Sequence, residues 1–289
     1  MGMLEVIPLF EEFEIISNAK EILGEYVDFL KEEYDYKPEY MRVFTARSDP
    51  AMNAGFLPAK IVSKQAISIY HDFGKERGIK MYPWIGGGSL PFRGGINPEN
   101  ILAVIDEYAG VGSLTTQSAF RYDYPLEDVK RAIKTLNKEV PKRMDKYIRI
   151  SDEENETLNN FNKEVAEYFR STIESIAGTI NKVSKQLPSH RERMQHIGLF
   201  GYSRGIGEVK LPRAIKFTGS LYSLGVPPEL IGSGRALLKA KEDGILDFLH
   251  KLCPYLREDF KHAGHYINRE NRNNIRYKNW SRRNSPHHT

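Results

Sequence analysis

A single cysteine, Cys253, occurs in 289 residues, so no internal disulfide can form. The fold must stand on packing alone, which suits a reducing, cytoplasmic compartment. A large excess of charge is also missing: 42 Lys and Arg face 38 Asp and Glu, for a formal net charge of +4. Proteins that live on nucleic-acid phosphates carry a far larger basic surplus, so a dedicated nucleic-acid binder is not expected. Long apolar runs are absent too, with no stretch approaching the roughly 18 uncharged apolar residues of a membrane span. The start MGMLEVIPLFEEFE lacks the basic-then-apolar order of a signal peptide, so neither secretion nor membrane insertion is expected. What is present, 40% hydrophobic and 28% charged residues, suffices for a sizeable buried core.

Short apolar, β-rich runs stand at Leu4–Phe10, Met41–Ala46, Ile79–Ile85 and Ser113–Phe120, each followed by a longer stretch of helical pattern. Apolar residues at spacings of three and four mark those stretches, as in Ile16, Ile22, Leu23, Val27 and Leu30, and in Ile61, Ala66, Ile67, Ile69 and Phe73. Strand alternating with helix predicts an α/β fold with parallel pairing. After Tyr124-Pro125 the pattern turns mostly helical over 126–148, 153–187 and 208–224, while 196–202 (HIGLFGY) reads as a short strand. From Asn268 the chain is rich in Asn, Arg and His and reads as a mobile tail. Three regions are therefore expected: 1–125 with the βα units, 126–267 mostly helical, and 268–289 as the tail. Four βα units fit half of a closed (β/α)8 barrel, whose open inner face and edges need covering. A doubly wound open sheet fits the same periodicity.

In either architecture the carboxyl ends of parallel strands collect the active site. Those ends carry Glu11 and Glu12, then Arg47-Ser48-Asp49, then the Gly86 to Gly95 segment with Arg93, then Gln117 and Arg121. Glu11 and Asp49 from adjacent strands can share one hard divalent cation, since Mg²⁺ accepts one or two carboxylates and keeps positions for water and substrate. The same residues also suit helix starts, with Glu11 opening one helix and Asp49 capping the next ahead of Pro50. The segment GGGSLPFRGG contributes Gly86, Gly87, Gly88, Gly94 and Gly95 around Arg93. It can form a phosphate or carboxylate lid of backbone N–H groups and one guanidinium, or simply a flexible turn with a surface arginine. It matches neither the phosphate-loop nor the dinucleotide pattern, so ATP and NAD are not implied. Gly/Arg clusters recur at Gly201 to Gly205 and at Ile231 to Arg235, as expected for an anionic substrate. The histidines show no metal-ligand spacing, His262 and His265 being the nearest pair.

The runs EVIPLFE (Glu5 to Glu11), RVFTARSDPAMNAG (Arg42 to Gly55), GGGSLPFRGGINPENI (Gly86 to Ile101), TTQSAFRYDYP (Thr115 to Pro125), HIGLFGYSR (His196 to Arg204) and LYSLGVPPELIGSGRAL (Leu221 to Leu237) resemble the archaeal-type phosphoenolpyruvate carboxylases, in that family's order. The resemblance implies a TIM-type barrel and a Mg²⁺- or Mn²⁺-dependent condensation of phosphoenolpyruvate with bicarbonate to oxaloacetate and phosphate. It implies that Glu11 and Asp49 hold the metal, Arg93 holds carboxyphosphate, Arg235 binds phosphate, and Gln117 and Arg121 contact substrate. It also implies a homotetramer. Gly234 interrupts the Gly-Ser-Arg that the wider family has at Arg235, and Ile85 and Gly87 stand where that family places a histidine and a second arginine. No Gln-His-Pro-Asp motif occurs, nor any His-Pro. The chain therefore reads as a carboxyl-terminal half, inactive alone and completed by a separate amino-terminal half, whether as a split subunit, a truncated product or a fragment. Two other readings stay open: a Mg²⁺-enolate lyase or aldolase on a related barrel, and a non-catalytic interaction subunit.

Overall fold

The computed structural model describes residues 5–117, 119–188, 205–206 and 209–271. Strand β1 (Leu9–Phe10) leads through helices α1 (Phe13–Ser17) and α2 (Ala19–Tyr34) to β2 (Tyr40–Ala46). Helices α3 (Ser48–Ala54) and α4 (Phe56–Arg77) lead on to β3 (Lys80–Gly86). A 3₁₀ turn at Pro91–Arg93 and helix α5 (Ile101–Glu107) then lead to β4 (Ser113–Leu114). The four strands form one parallel sheet in the order β1-β2-β3-β4. That order is sequential and lacks the reversal that defines a doubly wound sheet.

The expected strands at the two edges are longer than those observed. Pro8 has no N–H to donate, so β1 begins only at Leu9, although the Pro8 carbonyl still accepts from Phe44 N–H at 2.9 Å. At the other edge β4 stops at Leu114, and Ala119–Asp123 coils into a π-helical turn that uses the apolar Ala119 and Phe120 as core residues. Alternation in the central strands sets the two sheet faces. Met41, Val43, Thr45, Met81 and Ile85 are buried against the helices, with the Thr45 and Tyr70 hydroxyls 2.7 Å apart. The opposite face carries Tyr40, Arg42, Phe44, Tyr82 and Trp84, where Phe44 meets Trp84 edge-on at 5.0 Å and Tyr40 meets Tyr82 at 6.0 Å. Tyr40 is exposed and Phe44, Tyr82 and Trp84 are half-buried, so no described layer covers this aromatic face.

Beyond the sheet come α6 (Leu126–Glu139), α7 (Asp152–Gln186), an antiparallel pair of short strands β5 (Gly205–Ile206) and β6 (Val209–Lys210), then α8 (Ala214–Ser223), α9 (Ser233–Glu242), α10 (Leu246–Leu252) and α11 (Leu256–Gly264). The start of α7 is fixed by a capping box: Glu154 N–H donates to Ser151 Oγ and Ser151 N–H donates to the Glu154 carboxylate at 2.7 Å. Helix α4 is the spine. Its Phe56, Leu57 and Ile61 join the core with α7 to α10, its Val62, Ala66, Tyr70 and Phe73 join the β1–β2 core, and its Ile67 joins the α5–α6 core. One interior thus spans residue 125. The expected strand at 196–202 lies outside the described residues. The stretch expected to be mobile from Asn268 is tied down at its start, where Asn268 N–H donates to the Gly225 carbonyl at 2.8 Å and Asn271 Nδ2 to the Leu224 carbonyl at 2.7 Å. Among the described residues, no helix is long and apolar enough to cross a membrane.

Candidate active site

Parallel pairing brings the carboxyl ends of all four strands to one edge. Phe10 is in register with Thr45, so Glu11 leaves β1 beside the point where β2 runs into Arg47, Ser48 and Asp49. Neither carboxylate is spent on capping. The residue at the start of α1 is Glu12 and that at the start of α3 is Arg47, and neither helix has a side-chain cap. Asp49 lies inside the first turn of α3, because the helix begins at Ser48, two residues earlier than Pro50 at the first helical position signals. The helix-opening and capping roles weighed for these two residues are thus not realised. Among the described residues no group of three or more His, Cys, Asp or Glu is arranged to hold a metal. A cation at this edge would rest on two half-buried carboxylates plus water and substrate oxygens, the donor set that Mg²⁺ favours. The residues fit the group.

The glycine-rich segment after β3 folds on itself. Gly88 N–H donates to the Arg93 carbonyl at 2.7 Å, Gly95 N–H to the Leu90 carbonyl at 2.9 Å, and Ile96 N–H to the Gly88 carbonyl at 2.9 Å. Glycine is required at Gly94, whose φ is 121°; at Gly88 an added Cβ would meet the flexible end of the Arg93 side chain, 2.6 Å from its guanidinium carbon. Gly86 closes β3 and its carbonyl accepts from Arg47 N–H at 2.9 Å, while Gly87 packs on the Arg93 carbonyl. Folded in this way, the Arg93 side chain reaches across the strand ends. Its Nη2 donates to Gln117 Oε1 at 3.1 Å, and its Nε lies 3.4 Å from Ser48 Oγ, next to Asp49. One guanidinium thereby bridges the ends of β2 and β4.

The segment is held from below by residues that spacing alone does not single out. Phe92 is fully buried, its ring 5.8 Å from that of Phe217 and 6.0 Å from that of Phe169, and its N–H donates to Glu229 Oε1 at 2.9 Å. Burial raises the Glu229 pKa even though Phe92 N–H and the Tyr222 hydroxyl, at 2.8 Å, both donate to it. Arg47 is 1% exposed; its Nε donates to the Tyr108 hydroxyl at 3.1 Å, and that hydroxyl donates to the Gly94 carbonyl at 2.9 Å. Burial raises the Tyr108 pKa, keeping the phenol protonated and able to donate. Behind Tyr108, Glu107 faces Lys60 at 3.2 Å and Lys64 at 2.9 Å. Burial would raise the Glu107 pKa, but the two ammonium groups overcome it and hold the carboxyl at about 2.

Two further expected residues stand on later elements of the chain. Arg121 is exposed in the π-helical turn, with its guanidinium 5.0 Å from the Tyr122 ring centre. Arg235 is exposed in the first turn of α9, with its guanidinium 5.8 Å from the Tyr168 ring centre. The Gly201 to Arg204 cluster lies outside the described residues. Cys253 is buried and its thiol is pushed up to about 12 by burial, so it is inert.

The sequence model of the family described as phosphoenolpyruvate carboxylase matches residues 1–285. Among similar proteins, each named phosphoenolpyruvate carboxylase, that of Leuconostoc mesenteroides is 40% identical over 265 residues, covering 92% of this chain and 52% of the relative. The one from Methanothermobacter thermautotrophicus is 42% identical over 267 residues, covering 92% and 52%. The one from Metallosphaera sedula is 44% identical over 269 residues, covering 92% and 50%. The chain spans about half the length of these curated relatives. With the order of strand-end residues and this extent of identity in agreement, the chain belongs to the phosphoenolpyruvate carboxylase family.

Proposed function

We propose that this chain is the metal- and anion-binding half of a phosphoenolpyruvate carboxylase, a carboxy-lyase that joins phosphoenolpyruvate and bicarbonate to give oxaloacetate and phosphate. The observation that carries the reading is the convergence at one sheet edge: Arg93 reaches Ser48 and Gln117 while Glu11 and Asp49 leave neighbouring strands without serving as helix caps. The sequential strand order and the uncovered aromatic face support a half barrel that the remaining length of the relatives would close. Trp84 Nε1 on that face is buried and has no hydrogen-bond partner among the described residues, as expected of a group awaiting another layer. A lone, buried cysteine suits a cytoplasmic protein.

Both substrates, carboxyphosphate and the enolate are anions, so the chain's task is to gather negative charge and exclude water. A bicarbonate oxygen attacks phosphorus, the bond from phosphorus to the enol oxygen breaks, and carboxyphosphate and the pyruvate enolate result. Carboxyphosphate then releases CO₂ and leaves phosphate, and the enolate carbon attacks CO₂ to form the new C–C bond. Mg²⁺ or Mn²⁺ bound by Glu11 and Asp49 would supply positive charge against the enolate oxygen. Arg93 donates its planar fork to carboxyphosphate, while the N–H groups of Gly88, Gly94 and Gly95 are spent inside the folded segment and hold its shape. The buried Arg47 guanidinium under Gly94 adds fixed positive charge that solvent screens poorly.

The test is Asp49→Asn in the enzyme reconstituted from this chain and the missing half. Abolition of metal-dependent oxaloacetate formation is expected. A residue of structural use only would cost about 0.5–2 kcal/mol of stability and leave turnover intact; unchanged turnover removes Asp49 from the site.

A further inference from the structure

One turn of α7 touches all three elements that build the candidate site. Phe169 packs its ring against Phe92 of the glycine-rich segment at 6.0 Å. Its neighbour Arg170 reaches the other way. Arg170 Nε donates to the Asn53 carbonyl at 3.0 Å and Nη2 to Asn53 Oδ1 at 2.6 Å, so one guanidinium grips both the backbone and the side chain at the end of α3. The same Nη2 lies 3.4 Å from Glu14 Oε1 in the first turn of α1. Nη1 donates to Glu167 at 3.1 Å on its own helix, which fixes the side chain's direction.

The significance lies in what α1 and α3 carry. Asn53 stands one helical turn beyond Asp49, on the same face of α3. Glu14 stands just after Glu11, where β1 turns into α1. Two carboxylates from separate elements can share an ion only if those elements keep a fixed separation, and partners behind the ligands commonly set metal affinity. A guanidinium fork suits this task, since its several donors are rigidly spaced, whereas an ammonium offers a single point of attachment.

We propose that Arg170 is a positioning residue that sets the spacing of the Glu11- and Asp49-bearing elements and so tunes divalent-metal affinity. This rests on the reading of Glu11 and Asp49 as metal ligands. The test is Mn²⁺ binding to the purified 289-residue chain, followed by electron paramagnetic resonance, with far-UV circular dichroism confirming the fold of each variant. Arg170→Met should weaken Mn²⁺ binding about 10-fold and Arg170→Lys should recover part of that loss, with Asp49→Asn the more severe control. Glu14→Gln, at an exposed carboxylate, should weaken binding less, and with Arg170→Lys it decides the matter if Arg170→Met does not fold. Binding by every folded Arg170 and Glu14 variant within about twofold of the parent, alongside a clear loss in Asp49→Asn, would overturn the role of Arg170 alone. Absence of Mn²⁺ binding to the parent chain, or no effect of Asp49→Asn, would instead overturn the metal reading and this proposal with it.

Discussion

Replacing Glu107 by Gln keeps the shape of the side chain and removes the carboxylate that two buried ammonium groups share. Glu107 is 6% exposed, Lys60 5% and Lys64 10%, with separations of 3.2 and 2.9 Å. Lys60 keeps Asp259 at 2.6 Å, but Lys64 loses its described carboxylate partner and keeps the face of Tyr108, 5.2 Å from the ring centre. Breaking a buried pair by removing one partner costs about 3–5 kcal/mol, a large part of the roughly 5–15 kcal/mol that holds a domain folded. Titration gives a second route to the magnitude. The Glu107 carboxyl titrates at about 2 in the folded chain against 4.5 when unperturbed, a gap equivalent to about 3 kcal/mol. Because the folded value is the lower one, this stability is complete above about pH 4.5 and is lost as pH falls toward about 2. Urea unfolding followed by circular dichroism, at pH 7 and through the acid range, reads both effects. Glu107→Gln should unfold at much lower urea at pH 7 and lose less stability than the parent between pH 4.5 and 2. A loss below about 1 kcal/mol at pH 7 with an unchanged acid limb would refute the account of this cluster.

Tyr108→Phe removes the hydroxyl between Arg47 and the Gly94 carbonyl, leaving a buried guanidinium donor unpaired. It should cost about 1–3 kcal/mol in urea unfolding and slow oxaloacetate formation by the reconstituted enzyme, because the turn that places Arg93 loses its support. In a Trp280→Phe background Trp84 is the only tryptophan, and docking of the missing half should cover it and shift its emission to shorter wavelength. Unchanged emission in an active reconstituted enzyme would mean that the aromatic face is not the one covered.

Much of this architecture is legible in the chain because β2 and β3 alternate cleanly and lie near Met41–Ala46 and Ile79–Ile85. The ends of the sheet are less legible. Pro8 shortens β1, and the apolar Ala119 and Phe120 serve a π-helical turn as readily as a strand. The placing of Glu11, Asp49, Arg93 and Gln117 at one sheet edge is legible because parallel strands gather their carboxyl ends, a rule that needs only the strand positions. The contacts of Arg47, Tyr108, Glu229 and Arg170 are not. Their partners lie far along the chain, as with Phe92 and Glu229, and only the packing of α4, α5 and α7 brings them together. Lys60 and Lys64 look like a solvated helix face in sequence and are buried because Glu107 and Asp259 meet them there. The capping roles open to Glu11 and Asp49 close only once α1 is seen to start after Glu12 and α3 after Arg47.

The central claim is that carboxylates from β1 and α3 hold one divalent ion facing Arg93. The most direct measurement is the anomalous difference map of crystals of the reconstituted enzyme grown with Mn²⁺. The account predicts one peak at metal–oxygen distances of about 2.0–2.3 Å from both Glu11 and Asp49, on the side toward which the Arg93 guanidinium reaches. A peak bound to neither carboxylate, or to only one of them with the other turned away, would contradict it.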